Sequence, residues 1–157
     1  MARELIVGWA GKHHREPWKT LCADLRRRIA RYSPIRDVVV RTRRTDEPGR
    51  LDEEAAALLA ALPEPCRVVA LTRSGRQLGS EELAAWLARE RAEWPHALAF
   101  LIGSDLGLGS RVVERSSLRL SLGPMTLTHE TARLVLYEQL YRAFAIEHGI
   151  KYHRAPF

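Results

Sequence analysis

The sequence predicts an α/β fold, a mostly parallel sheet flanked by helices, organised as a single domain across residues 1–157. Three observations carry this. Short apolar runs alternate with amphipathic stretches of roughly 10 to 16 residues, the signature of βαβ units whose crossover helices cover a parallel sheet. Residues 98–102 are continuously apolar and bounded by Gly103, as in a strand buried on both faces. Two strand ends run straight into glycine-containing loops, at Gly103 and at Gly123, and ligands of open α/β sheets sit outside the carboxyl ends of the strands.

The elements follow in order. Residues 5–7 form a short strand ending at Gly8, and residues 9–16, with Lys12, His13, His14 and Arg15, read as an exposed polar loop. The two histidines are sequence neighbours and cannot form a two-ligand helical site, so no metal centre is expected. Pro17 suits a first helical position, after which Trp18, Leu21, Cys22, Leu25, Ile29 and Tyr32 recur at helical spacing as one buried face. Arg26, Arg27 and Arg28 fall largely off that face, as a solvated run or one that follows a phosphate backbone. Residues 38–40 are a second strand, and the polar stretch 42–49, with its Pro48-Gly49 turn, reads as a mobile loop. Leu51, Ala55, Leu58, Leu59 and Leu62 define the next helix, with Asp52, Glu53 and Glu54 in its first turn, where the helix dipole favours acids. Residues 66–71 are a third strand and 72–75 a strand-end loop.

Ser80 is the expected N-cap of a helix carrying Leu83, Trp86 and Leu87, which ends at Trp94-Pro95 before the strand that starts at Ala97. A short basic helix follows the glycines at 103, 107 and 109. Leu118, Leu120 and Leu122 then alternate with Arg119 and Ser121 as the last strand. Thr128 caps a final helix from about 129 to 148, with Glu130 as early negative charge. Its apolar residues, among them Ala132, Leu134, Val135, Leu136, Leu140, Tyr141 and Phe144, cover most of its circumference. Such a helix is buried on more than one side, and in a small chain the second side points to a symmetric homodimer.

Composition narrows the functional classes. The net charge of +6 suits an acidic partner such as nucleic acid. Cys22 and Cys66, the only two cysteines, stand in apolar settings without metal-ligand spacing and read as reduced core residues. No apolar run reaches the ~18 residues of a membrane span, and no signal-peptide pattern opens the chain, so a cytoplasmic protein without a membrane partner is expected.

One resemblance sharpens the functional reading. The run Leu101-Ile102-Gly103, residues 118–127, then His129, Arg133, Leu140-Tyr141-Arg142-Ala143 and terminal Tyr152-His153-Arg154 resemble, in order and spacing, the RlmH family. These are SPOUT-class methyltransferases of large-subunit ribosomal RNA, and the similarity spans nearly the whole chain. The resemblance implies a SPOUT fold with a C-terminal trefoil knot, which pattern alone would not suggest. It also implies a homodimer that moves a methyl group from S-adenosylmethionine to N3 of a pseudouridine in 23S rRNA, acting on the assembled ribosome.

Carried over by position, the cofactor contacts are Leu71, Gly103, Leu122, Gly123, Pro124, Met125, Thr126 and Leu127. His129 is the candidate for positioning the base or its imide proton. Arg142 is the second catalytic candidate, and Tyr152, His153 and Arg154 are expected to contact RNA, by stacking or by gripping phosphate. The sequence departs from the family pattern at Gly103-Ser104-Asp105-Leu106, where Gly-Gly is common, and in the extension Ala155-Pro156-Phe157. Two other readings stay open: a SPOUT methyltransferase for another RNA such as tRNA, and a non-catalytic ribosome-binding module.

Overall fold

The computed structural model describes residues 3–153. Five strands, β1 (Leu5–Ala10), β2 (Ile35–Val40), β3 (Cys66–Gln77), β4 (Ala97–Ile102) and β5 (Leu118–Ser121), alternate with α1 (Trp18–Ile29), α2 (Glu47–Ala60), α3 (Ser80–Glu93), α4 (Ser110–Arg115) and α5 (His129–Glu147). All neighbouring strands pair in parallel, in the order β2-β1-β4-β3-β5. Every residue of β1 and of β4 is buried. That is why both segments are apolar without alternation.

Side chains leave the sheet alternately to two cores. Leu5, Val7, Trp9, Phe100 and Ile102 pack under α1, α3 and α5, whereas Ile6, Val68, Ala70, Ala99 and Leu101 pack under α2 and α4. Consequently β1 is followed by a helix on one face, and its neighbour β4 by a helix on the other. The two connecting loops diverge, and a crevice opens between them at the carboxyl edge of the sheet.

Several boundaries differ from the sequence reading, each for a local reason. Helix α2 starts at Glu47, so most of the expected 42–49 loop is shorter. Asp46 caps it by accepting a bond from the Gly49 amide at 3.1 Å, and Pro48 fits the first turn. Glu54 is therefore not in the first turn but deeper in the helix, and it is buried. Strand β3 does not stop at Leu71. It buckles between Leu71 and Arg76, both of which pair with Leu120 of β5. Gly75 permits the close approach, since a Cβ there would lie 2.6 Å from the Arg119 backbone. Gly79, not Ser80, caps α3: its amide bonds Glu82 Oε1 at 2.8 Å, and the Ser80 hydroxyl instead donates to Gln139 Oε1 of α5 at 2.6 Å. Leu21, expected on the buried face of α1, is 47% exposed; Cys22, Leu25 and Ile29 form that face.

Helix α5 lies between α1 and α3. It buries Leu136, Tyr137, Leu140, Ala143 and Phe144, together with Glu130 and Arg133. Leu134, Val135 and Tyr141 stay half-buried within the single chain. Thr128 caps α5 as expected, accepting a bond from the Thr131 amide at 3.2 Å. Both cysteines are buried and free, and burial pushes each thiol up to about 11.

Candidate functional site

A cleft of about 620 Å³ occupies the crevice over β1, β2 and β4. Its walls are the loop after β1 (Gly11, Lys12, His13), the loop after β2 (Arg41, Arg43, Arg44), Ser104 and Asp105 after β4, and the first turns of α5. Seven lysines and arginines face three carboxylates there, so the cleft is strongly cationic.

All three carboxylates already have partners. Arg15 grips Glu130 with two bonds of 2.7 and 2.9 Å. That hydrogen bonding and charge hold the Glu130 carboxyl below its ordinary range. Arg50 donates to Asp105 at 2.8 Å and lies 3.6 Å from Glu54. The Ser104 hydroxyl donates to Glu54 Oε1 at 2.7 Å and accepts from the Leu106 amide at 3.2 Å. Ser104, the departure from the family pattern, therefore ties its own loop to α2.

Arg133 differs from the other cations of the cleft. It is 1% exposed, and its guanidinium carbon stands 4.2 Å from the centroid of the Trp9 ring. Its Nε and Nη1 have no hydrogen-bond partner among the described residues. Burial lowers its pKa below the ordinary arginine value, although an arginine stays charged in any accessible range.

Behind the cleft is a half-buried polar cluster centred on Asp37. Arg26 donates to it at 2.9 Å, His14 Nε2 lies 3.2 Å away, and the Tyr137 hydroxyl donates to its other oxygen. Burial, then the Asp37 charge, raises the Tyr137 pKa far above its ordinary value, so the phenol is fixed as a donor. The expectation of an exposed pair at positions 13 and 14 is half right: His13 is exposed on the cleft, whereas the His14 side chain is only 7% exposed.

Side by side with the cleft, the loops after β4, β3 and β5 follow one another along the same edge. Leu71 is half-buried at the buckle of β3. Gly103 serves the chain's own loop: a Cβ there would lie 2.4 Å from the Gly107 backbone, which folds back through a Gly107 amide to Ser104 carbonyl bond of 2.9 Å. In the β5 loop, the Ser121 hydroxyl donates to the Gly123 carbonyl and accepts from the Gly123 amide, both at 3.1 Å. Arg73 donates to Thr126 Oγ1 at 2.5 Å, pinning the loop to β3. Leu122 and Leu127 are half-buried, Pro124 and Thr126 exposed, and Met125 is 78% exposed. His129 follows two residues later and faces the cleft beside Asp105.

Arg142 lies elsewhere. Thirteen residues after His129, it is ~20 Å along the helix axis, and within one chain the two are not brought together. Arg142 bonds Glu138 at 2.8 Å and His153 Nδ1 at 3.2 Å, and it stands over the Tyr152 ring. Tyr152 donates to Glu138 at 2.5 Å, and its pKa is pushed up to about 12 by burial and then by that bond. Tyr152 and His153 are thus folded back onto α5. Arg154 and the 155–157 extension lie outside the described residues.

Sequence reasoning missed Asp37, Arg50 and Glu54, and knew Arg133 only as a residue of the resemblance. A signal for Arg133 was present: it interrupts the stripe Arg133, Leu136, Tyr137, Leu140, Phe144 with a charge at core spacing. Asp37 carried no such sign, because its partners come from three separate segments.

Comparison with known proteins agrees with this architecture. The family model described as "Predicted SPOUT methyltransferase" matches residues 4–153. A protein of Solidesulfovibrio magneticus named Ribosomal RNA large subunit methyltransferase H is 43% identical over 87% of this chain and 89% of its own length. One of the same name from Rubrobacter xylanophilus is 44% identical, over 94% of this chain and 92% of its own length. Among solved structures, a probable methylase family protein from Haemophilus influenzae superposes with a TM-score of 0.56 at 14% identity, covering 99% of this chain and 72% of that one. That last likeness concerns the fold.

Proposed function

The chain belongs to the SPOUT methyltransferase family, and from this premise we propose that it transfers a methyl group from S-adenosylmethionine to N3 of a pseudouridine in large-subunit rRNA. In this reading it acts on the assembled ribosome, as a cytoplasmic homodimer whose C-terminal segment is knotted. The observation that carries the reading is the meeting of two unlike regions over one sheet edge. The loops of the β4-β3-β5 half offer apolar side chains with main-chain groups, and the β2-β1-β4 half offers a cationic cleft.

These residues suit the cofactor. Leu71, Leu122, Met125 and Leu127 would supply the apolar contacts an adenine ring needs, and the backbone of Gly123, Pro124 and Thr126 the polar groups to read its edge. S-adenosylmethionine, when bound, supplies a methyl on a sulfonium. Transfer of that methyl to N3 would need the nitrogen held in line with the sulfur–carbon bond that breaks, and a group to take the N3 proton. His129, at the boundary between the two regions, is the residue to orient the base or take that proton. The target base has to leave its stack to be reached. Arg142, Tyr152, His153 and Arg154 would act on the site of the partner, since the helix keeps Arg142 ~20 Å from His129 of its own chain.

The test is labelling. Ribosomes lacking the modification are incubated with purified protein and methyl-labelled S-adenosylmethionine, and the label is mapped. Label at N3 of a large-subunit pseudouridine is expected. Cofactor binding without label on ribosomes would redirect the substrate to another RNA such as tRNA, and no cofactor binding would leave a non-catalytic RNA-binding module.

A further inference from the structure

We propose that Arg133 anchors a phosphate-binding site on the floor of the cleft, where it grips a backbone phosphate of the RNA substrate. The inference rests on the rRNA reading above and adds to it where the RNA strand lies.

A guanidinium withdrawn from water is costly unless an opposite charge and hydrogen-bond acceptors meet it. Here Nε and Nη1 find no acceptor among the described residues. The neighbouring carboxylates are engaged elsewhere: Glu130 is held bidentately by Arg15, and Asp37 is shared by Arg26, His14 and Tyr137. The Trp9 ring covers the guanidinium face, which leaves the in-plane N–H donors to be met by the oxygens of an anion. Arg133 lines the cleft, so its unpartnered donors lie just beneath a surface that is open to solvent.

The surroundings select a phosphodiester chain over a lone carboxylate. Lys12, Arg41 and Arg43 are exposed on the rim, in the same cleft as the buried arginine. At about 620 Å³, the cleft takes more than one small anion. A strand laid there would pass His129 and reach the loop after β4, the wall shared with the apolar half.

The experiment measures co-sedimentation of the protein with unmethylated ribosomes between 50 and 200 mM KCl at fixed magnesium. Three variants are compared: Arg133→Gln, Arg133→Lys, and the rim double variant Arg41→Gln/Arg43→Gln. Arg133→Gln is expected to weaken binding about tenfold or more and to reduce the slope of log affinity against log salt by about one. Arg133→Lys is expected to recover part of the loss, and S-adenosylmethionine affinity by calorimetry to stay within about twofold throughout. Wild-type affinity and slope in Arg133→Gln overturn the proposal, as does a wild-type protein that fails to sediment with ribosomes at 50 mM KCl.

If Arg133→Gln does not fold by circular dichroism, the exposed rim variant decides: a slope reduced by about two supports the site, and an unchanged slope overturns it. Calorimetry with inorganic phosphate separates the possible sources of anion. Phosphate binding that depends on Arg133, with ribosome affinity indifferent to it, would assign the cleft to a free anion and overturn the RNA assignment. Loss of ribosome affinity in the variants of a protein that methylates no ribosome would sink the rRNA methylation reading and leave the phosphate site standing. Full methylation with indifferent variants would do the reverse.

Discussion

Glu130 joins the first loop of the chain to its last helix through Arg15. Its folded pKa is lowered, so the stabilisation is fully present above the unfolded value of roughly 4.3 and is lost as pH falls through the folded value. The difference in melting temperature between the wild type and Glu130→Gln is therefore expected to be greatest near neutral pH and to vanish in acid. A difference independent of pH would show that the pair contributes nothing. Because Arg15 is exposed, added salt should shrink the effect. Gly103 gives the second residue-level expectation. With the Gly107 backbone 2.4 Å from where a Cβ would sit, even Gly103→Ala must displace the loop after β4. Such strain costs ~1–3 kcal/mol, a fall in melting temperature of several degrees, and cofactor affinity by calorimetry is expected to drop by about tenfold or more. Unchanged affinity would remove this loop from the cofactor site.

At the scale of elements, the positions of strands and helices were legible because each follows a period that burial imposes. β1 and β4 are apolar throughout as both their faces are covered, and α1 and α2 repeat at helical spacing. What hid was geometry set by partners distant in sequence. Residues 72–75 are polar and contain glycine, so they read as a loop, yet their strand continues by pairing twice with Leu120. His14 looked exposed because its acceptor, Asp37, is 23 residues away. The residues of the proposed cofactor loop were accessible only through the order of motifs, and Arg133 through that order and through its misfit in an apolar stripe. Capping, being local, was legible at Thr128. Thr128→Ala is expected to cost ~1 kcal/mol and to lower the melting temperature by ~2–4 °C. A thermal melt checks this, and no shift would mean that the cap bond contributes little.

For the whole molecule, the decisive relation is between the two ends of α5. His129 faces the cleft, whereas Arg142 and Tyr152 cluster with Glu138 farther along. Leu134, Val135 and Tyr141 leave an apolar strip half-buried in a single chain, the surface the proposed dimer would use. If each site combines His129 of one subunit with Arg142 of the other, randomly mixed His129→Ala and Arg142→Ala subunits recover about a quarter of wild-type activity from two inactive parents. If both residues serve the same chain's site, the mixture stays inactive.

The strand order also governs how the protein is made. β1 leaves the synthesising ribosome early, but one of its two neighbours, β4, begins at Ala97 and the helix that covers it ends at Glu147. Until then one edge of β1 and the apolar faces destined for α5 have nothing to pair with. Parallel pairings between remote segments form late, after the cost of closing long loops. Stalled nascent chains ending before β4 are accordingly expected to be digested throughout by protease, and chains exposing α5 outside the exit tunnel to resist it. On this strand order the newborn enzyme is expected to have no protected half to fall back on and to mature in a single late event.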